Sequence, residues 1–166
     1  FDQIFKDFPR KLLKKNCRNT KTIVNYLGEI LKVDMVPYEN SPKGKQIITR
    51  DCQSNGEEIE TLKNDITELI DEGVRPEDIV ILIPDGKYTE SSIYSLKSIK
   101  QYSLKRMGNG FRPERDTLQV TMIGKFKGLE SQVIMITDHK EEVSPEELYT
   151  KSSRANSLLY IYNKQS

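Results

Sequence analysis

The run Ile79-Val80-Ile81-Leu82-Ile83 constrains this chain more than any other feature. A half-exposed strand alternates apolar and polar residues. Five apolar residues in a row leave no face for water, so this segment belongs in a parallel sheet covered on both sides. Val133 to Thr137 repeats the pattern. A sheet covered twice needs helices, and helical spacing is present. Asn19-Thr20 offers an N-cap before Ile23, Leu27, Ile30 and Leu31. Ser54-Asn55-Gly56 starts a second stripe through Ile59, Leu62, Ile66, Leu69 and Ile70, closed by Gly73 and followed by Pro76. Ile93, Leu96, Ile99 and Leu104 predict a third helix ending near Gly108, before a turn-rich stretch to Arg115. Pro145 opens a last helix running through Arg154. Short strands are expected at Lys11–Lys14, Gln46–Thr49, Thr117–Met122 and Leu158–Tyr162. Alternating strands and helices imply an α/β fold, with a mostly parallel sheet flanked by helices and right-handed crossovers. The order of the strands is not legible.

The chain's 166 residues suffice for one domain with its own core. With 36% hydrophobic and 31% charged residues, the composition is that of a globular domain. A net charge of +1 excludes a polycation, so any nucleic-acid contact must come from local clusters. The two cysteines, Cys17 and Cys52, form no CxxC pair; a disulfide framework or zinc ribbon is not expected, and a reducing cytoplasm is. No apolar run approaches the roughly 20 residues of a membrane helix. His139 is the single histidine, which argues against a multi-histidine metal site or a histidine-based triad. Asp138, after the second buried strand, lacks partner ligands, so no metal site is expected. Glu57-Glu58 and Glu141-Glu142 read as solvated faces. The chain opens at Phe1 without an initiator Met, and 1–166 is expected to be a single domain of a longer protein.

Three short segments carry chemistry. The first is Asn16-Cys17-Arg18-Asn19-Thr20, a strand-to-helix turn. Such a turn aims the planar Arg18 cation at a phosphate, and the helix start adds free amide donors. An ordinary surface Arg beside a capping Thr reads the same way. The second is Lys125-Phe126-Lys127-Gly128-Leu129-Glu130, set between two strands. Gly128 allows a sharp turn. Lys125 and Lys127 offer phosphate contacts beside Phe126, a stacking surface for a base. The alternative is a turn with solvated lysines and a core Phe. The third is Leu148-Tyr149-Thr150-Lys151-Ser152-Ser153-Arg154-Ala155, followed by a strand. Taken alone, Arg154 equally suits the C-terminal end of a helix dipole.

Together and in this order, the segments resemble motifs IV, V and VI of superfamily 1, UvrD-like DNA helicases. The resemblance covers roughly residues 10 to 162. Motif IV commonly reads Asn, aromatic, Arg, Ser or Asn, Thr. Motif V is a basic-Gly-Leu-Glu turn, and motif VI is Leu-Tyr, two variable positions, then Ser-Arg-Ala. The strand before the turn departs from the family: Met122 and Gly124 stand where Thr and His are usual. Thr121 is adjacent but points to the opposite face of a strand.

The resemblance implies a second RecA-like domain, a three-layer αβα arrangement that forms one wall of a cleft for ATP. It implies Arg154 and Arg18 on the phosphates, Gly128 and Glu130 at the nucleotide, and Lys125, Phe126 and Lys127 along single-stranded or partly duplex DNA. No G-x-x-x-x-G-K-[ST] cradle occurs in the chain. The family carries that cradle and the Mg2+ ligands on the N-terminal RecA-like domain of the same chain. The domain alone is therefore expected to be inactive. Larger relatives insert a helical subdomain in the region from Pro84 to Asp116; here one helix fits. The alternative is a helicase-like domain without catalysis, docking protein or nucleic acid. An unrelated flavodoxin-like enzyme fits poorly, lacking a Gly-rich loop after the first strand.

Overall fold

The computed structural model describes residues 15–86, 88–107, 113–140 and 143–164. The strand expected at Lys11–Lys14 lies outside them; the described chain begins with a two-residue strand, β1 (Lys15–Asn16). It pairs in parallel with β2 (Val36–Pro37), on the far side of helix α1 (Lys21–Leu31). The main sheet contains β3 (Ile48–Cys52), β4 (Ile79–Ile83), β5 (Ser98–Ile99), β6 (Tyr102–Arg106), β7 (Thr117–Met122), β8 (Ser131–His139) and β9 (Ala155–Lys164). Its order is β3-β9-β8-β4-β7-β6-β5, all neighbours parallel except the β5–β6 pair.

The apolar run decides the centre. Strand β4 is buried at every position, between β7 and β8. Its side chains alternate between two cores, as pleat geometry requires. Ile79, Ile81 and Ile83 meet Leu62, Ile66 and Leu69 of helix α2 (Asn55–Asp71). Val80 and Leu82 join Ile23 and Leu27 of α1 on the other face. Helix α3 (Pro145–Ser152) packs on that second face beside α1. The result is an α/β fold with helices on both sides of a mostly parallel sheet, the layering of a RecA-like domain.

Local chemistry sets the helix ends. The Ser54 Oγ accepts from the Glu57 amide at 3.2 Å, and the Glu57 carboxylate accepts from the Gln53 amide at 2.7 Å. Gly73 sits at φ +94 as the left-handed cap after α2, and Val74 N–H reaches the Leu69 carbonyl at 2.9 Å. The α3 N-cap is Ser144, with Pro145 in the first turn. Buried Asp65 ties α2 to two strands. It accepts two bonds from the Arg50 guanidinium (2.6 and 3.2 Å) and one from the Tyr162 hydroxyl (2.9 Å). Burial, then the Asp65 charge, pushes the Tyr162 hydroxyl well above its ordinary range.

Four sequence expectations are corrected. No helix forms over Ile93–Leu104. A 3-10 turn at Tyr88–Glu90 leads instead to the β5–β6 hairpin, turned at Lys100 with φ +51. The apolar positions suit both periods: Tyr102 and Leu104 pack on one face of a strand, two residues apart. The open edge of β7 offers a row of backbone groups, and β6 fills it with Leu104 opposite Leu118. Secondly, α3 stops at Ser152, so Arg154 sits in the following turn. Thirdly, the strand expected at Gln46–Thr49 begins two residues later, at Ile48, in register with Tyr160 of β9. Fourthly, Glu58 is no solvated residue but fully buried.

Candidate functional site

The register places the three sequence segments at one edge. In parallel strands all amino ends lie together. Ser131, first residue of β8, pairs with Ala155, first residue of β9. Glu130 and Arg154 immediately precede them, and the Ser131 amide donates to the Arg154 carbonyl at 3.1 Å. The Arg18 segment arrives through α1, whose start meets the same edge: Thr20 N–H donates to the Asn156 carbonyl at 3.1 Å.

Arg18 and Glu130 then meet directly, Nε to Oε2 at 3.3 Å. Both are about half exposed, 50% and 46% in side-chain terms, so the pair adds roughly 0–1 kcal/mol to stability. Its consequence is orientation. The two face a cleft of about 600 Å³ lined also by Lys15, Asn16, Cys17, Met35 and Tyr149. Arg154 is not part of this lining; its carbonyl accepts from Ser131, the residue after Glu130, and its guanidinium has no ion-pair partner among the described residues. A cation without a counter-charge is available to an anionic ligand.

The Arg18 turn is shaped by asparagines. The Asn16 Oδ1 accepts from the Arg18 amide at 2.9 Å and the Asn19 amide at 3.2 Å. Asn19, 3% exposed, donates from Nδ2 to the carbonyls on either side of Arg154: Ser153 at 3.2 Å and Ala155 at 2.5 Å. Sequence reasoning read Asn19 as a cap and missed this bridge. Tyr149 and Met35 were also missed as cleft walls, because nothing local marks where a side chain points.

The first two amides of α1 are already engaged, contrary to the sequence expectation of free donors at the helix start. The Lys21 and Thr22 amides donate to the Pro42 and Lys43 carbonyls at 3.0 and 2.9 Å. The Thr20 side chain makes no cap bond.

The β7–β8 connection must return from the carboxyl end of the sheet to the amino end, because Met122 pairs with Ile83 and Val133 with Ile79. Ile123, Phe126 and Leu129 line its inner side against the α1-side core. Phe126 is 1% exposed, so the ring is a core residue and presents no face to a base. Lys125 and Lys127 alternate with it and are exposed. Gly128 has φ +85 with open space around the missing Cβ, so the backbone angle, not room for a ligand, requires glycine. Gly124 sits at the far end. Its amide donates to the Asp85 carboxylate at 2.9 Å, and a Cβ there would lie 3.0 Å from the same oxygen. Thr121 is buried and bonds only to the neighbouring Met122 carbonyl, at 3.4 Å.

A smaller crevice of about 270 Å³ opens at the carboxyl end, between Pro84–Gly86 and Asp138–Lys140. Of its charged lining, Asp85, Asp138 and Lys164 are engaged internally, while Lys140 has no ion-pair partner among the described residues. Asp138, at φ +52, accepts from the Ser92 amide (3.0 Å), the Ser92 hydroxyl (3.2 Å) and Lys164 (3.4 Å). Below it, Glu58 Oε1 accepts from the Asp138 amide at 2.6 Å, while Oε2 has no partner. Burial, with Asp138 nearby, raises the Glu58 carboxyl above its ordinary range. Burial also lowers the His139 imidazole, helped by the Lys151 charge. No cluster of metal ligands occurs among the described residues.

The fold has a solved counterpart. The C-terminal domain of a possible DNA helicase from Lactobacillus plantarum WCFS1 superposes with a TM-score of 0.67, at 17% identity, over 91% of this chain and 89% of that one. At that identity the likeness speaks for the fold. No protein-family model and no curated protein matches the chain. Among the described residues no helix is long and apolar enough to cross a membrane.

Proposed function

We propose that this chain is the second RecA-like motor domain of a superfamily 1, UvrD-like DNA helicase. One observation carries the reading: Arg18, Glu130 and Arg154, far apart in sequence, converge on the amino ends of β8 and β9. The structural counterpart, itself described as part of a possible DNA helicase, supports the same direction.

The cleft fits one side of a nucleoside triphosphate. Arg18 and Arg154 supply planar donors for phosphate oxygens, and Glu130 an acceptor for a ribose hydroxyl. Met35 and Tyr149 give apolar surface. ATP brings the phosphoanhydride that is broken; the cradle and Mg2+ ligands belong to a preceding RecA-like domain of the full protein. In this reading Arg154 stabilises charge that builds on the transferred phosphoryl group, an effect of roughly 10³–10⁵ in other NTPases. Glu130 holds Arg18 by charge until phosphate competes for it. Lys125 and Lys127 contact the DNA backbone, and Phe126 acts only by holding their loop on the core.

The Gly124–Asp85 contact favours one alternative. With no side chain at Gly124 and a carboxylate against its amide, the loop start lacks a group to contact DNA, as a docking module would.

DNA-stimulated ATP hydrolysis by the full-length protein, wild type against Arg154→Ala, separates the two. Stimulated turnover that collapses in the variant, with nucleotide still bound, is expected. Equal behaviour of both proteins rejects the motor reading in favour of docking. The isolated domain is expected to show no turnover of its own.

A further inference from the structure

We infer that Asn19 is a positioning residue that locks Arg18 and Arg154 into one frame. This rests on the motor reading above, in which both guanidinium groups address the same phosphates.

The two arginines come from segments far apart in the chain; Arg18 lines the cleft, Arg154 stands at the start of β9, and their side chains share no bond. Arg18 is held from the cleft side by Glu130, through a half-exposed contact. Arg154 has no ion-pair partner among the described residues. Two contacts relate their backbones: the Thr20 N–H to Asn156 carbonyl bond, two residues beyond each arginine, and one buried amide that bonds on both sides of Arg154 itself. Asn19 follows Arg18 directly, and its Nδ2 uses both protons on the carbonyls of Ser153 and Ala155, the residues flanking Arg154. Its Oδ1 accepts from Asn16 Nδ2 at 2.8 Å, and Asn16 Oδ1 fixes the Arg18 and Asn19 amides. All the amide's donors are thus used, and its carbonyl oxygen has a partner, at a residue 3% exposed. A buried network with its polar groups satisfied holds a single geometry.

The chain at Ser153–Ala155 runs from the end of α3 to the first residue of β9, whose pairing with β8 shifts register between Ser131 and Val133. Without Asn19, that turn keeps only the Thr20–Asn156 backbone bond to the Arg18 loop, and the relative placement of the two cations loosens. Since reactive geometry tolerates little displacement, with about 1 Å able to cost 10²-fold in rate, the loss falls on turnover. Nucleotide binding through Glu130, Tyr149 and Met35 stays.

The test is a double-mutant cycle on DNA-stimulated ATP hydrolysis by the full-length protein: wild type, Asn19→Ala, Arg154→Ala and the double variant. Asn19→Ala is expected to lower kcat by about 10- to 100-fold with KM for ATP changed less than threefold. In the Arg154→Ala background the same change is expected to have no further effect. An equal loss in both backgrounds, or one matching the fall in melting temperature, overturns the proposal: Asn19 is then merely structural. If Arg154→Ala loses turnover while Asn19→Ala keeps it, the positioning role fails and the motor reading stands. If Arg154→Ala turns over like wild type, the motor reading fails and takes this proposal with it.

Asn16→Asp covers the case in which Asn19→Ala does not fold. It keeps both bonds to backbone amides but sets a carboxylate oxygen against Asn19 Oδ1. The Asn19 amide then favours the flipped state, its oxygen facing the two carbonyls. The same pattern is expected: lower kcat, absent in the Arg154→Ala background. Unchanged kcat in a folded Asn16→Asp protein overturns the proposal.

Discussion

The two ends of the sheet both carry charged side chains and treat them differently. At the amino end, Arg154 has no ion-pair partner among the described residues, and Arg18 and Glu130 share one half-exposed contact beside a 600 Å³ cleft. At the carboxyl end, Asp138 collects bonds from Ser92 and Lys164, Asp85 takes the Gly124 amide, and Glu58 is sealed beneath. The general rule for open α/β sheets puts ligands beyond the carboxyl ends, at a reversal of strand order. This sheet has such a reversal at β4, flanked by β7 and β8. Asp138 and Lys164 pair there, and Lys140 stands without an ion-pair partner among the described residues, as Arg154 does at the opposite edge. The amino edge differs in gathering three segments distant in the chain.

Substitutions at the two ends should therefore differ in kind. Arg154→Ala in the full-length protein is expected to reduce turnover by about 10³-fold or more at unchanged melting temperature. A loss under tenfold removes the contrast. Asp138→Ala should do the reverse. It strips the acceptor from Ser92 and the partner from Lys164, so about 1–3 kcal/mol of stability is expected to go, seen as a lower urea midpoint. Activity per folded molecule should stay; a specific loss of turnover would make the carboxyl end functional too.

The connection between the ends gives a smaller effect. Gly128→Ala forces an L residue into a left-handed backbone, costing roughly 1–2 kcal/mol. Charge removal at Lys125 and Lys127 together should leave stability alone and flatten the salt dependence of single-strand binding, by about 0.7 in the logarithmic slope for each phosphate no longer neutralised. An unchanged slope would place the DNA track elsewhere.

The smallest change distinguishes the ends by pH. The Glu58 carboxyl, held above its ordinary 4.5 chiefly by burial, prefers to be protonated in the folded state. Its contribution is complete below the unfolded-state value and is lost as pH rises through the raised folded one. Glu58→Gln should thus melt a few degrees higher than wild type at pH 8 and level with it near pH 4. A variant less stable at both values would show that the carboxyl itself, not its charge, is needed.

Much of the fold was legible. The β4 run placed a doubly covered strand, and the stripe from Ile59 to Ile70 placed α2, because burial on one face leaves a period in the sequence. The Ile93–Leu104 segment misled for the same reason: its apolar positions fit a helix, and only the free edge of β7 selected a strand. Phe126 likewise carries no local mark of which way it faces, and the return path of the β7–β8 connection turned it inward.

Sequence by itself determined a parallel α/β domain and the three segments bearing Arg18, Glu130 and Arg154, since side-chain type and spacing are local properties. Tertiary structure alone decided that these segments share the amino edge of β8 and β9, that Asn19 spans two of them, and that Glu58 is buried. Those facts depend on strand order and register, which arise from contacts between residues distant along the chain and leave no periodic trace in it.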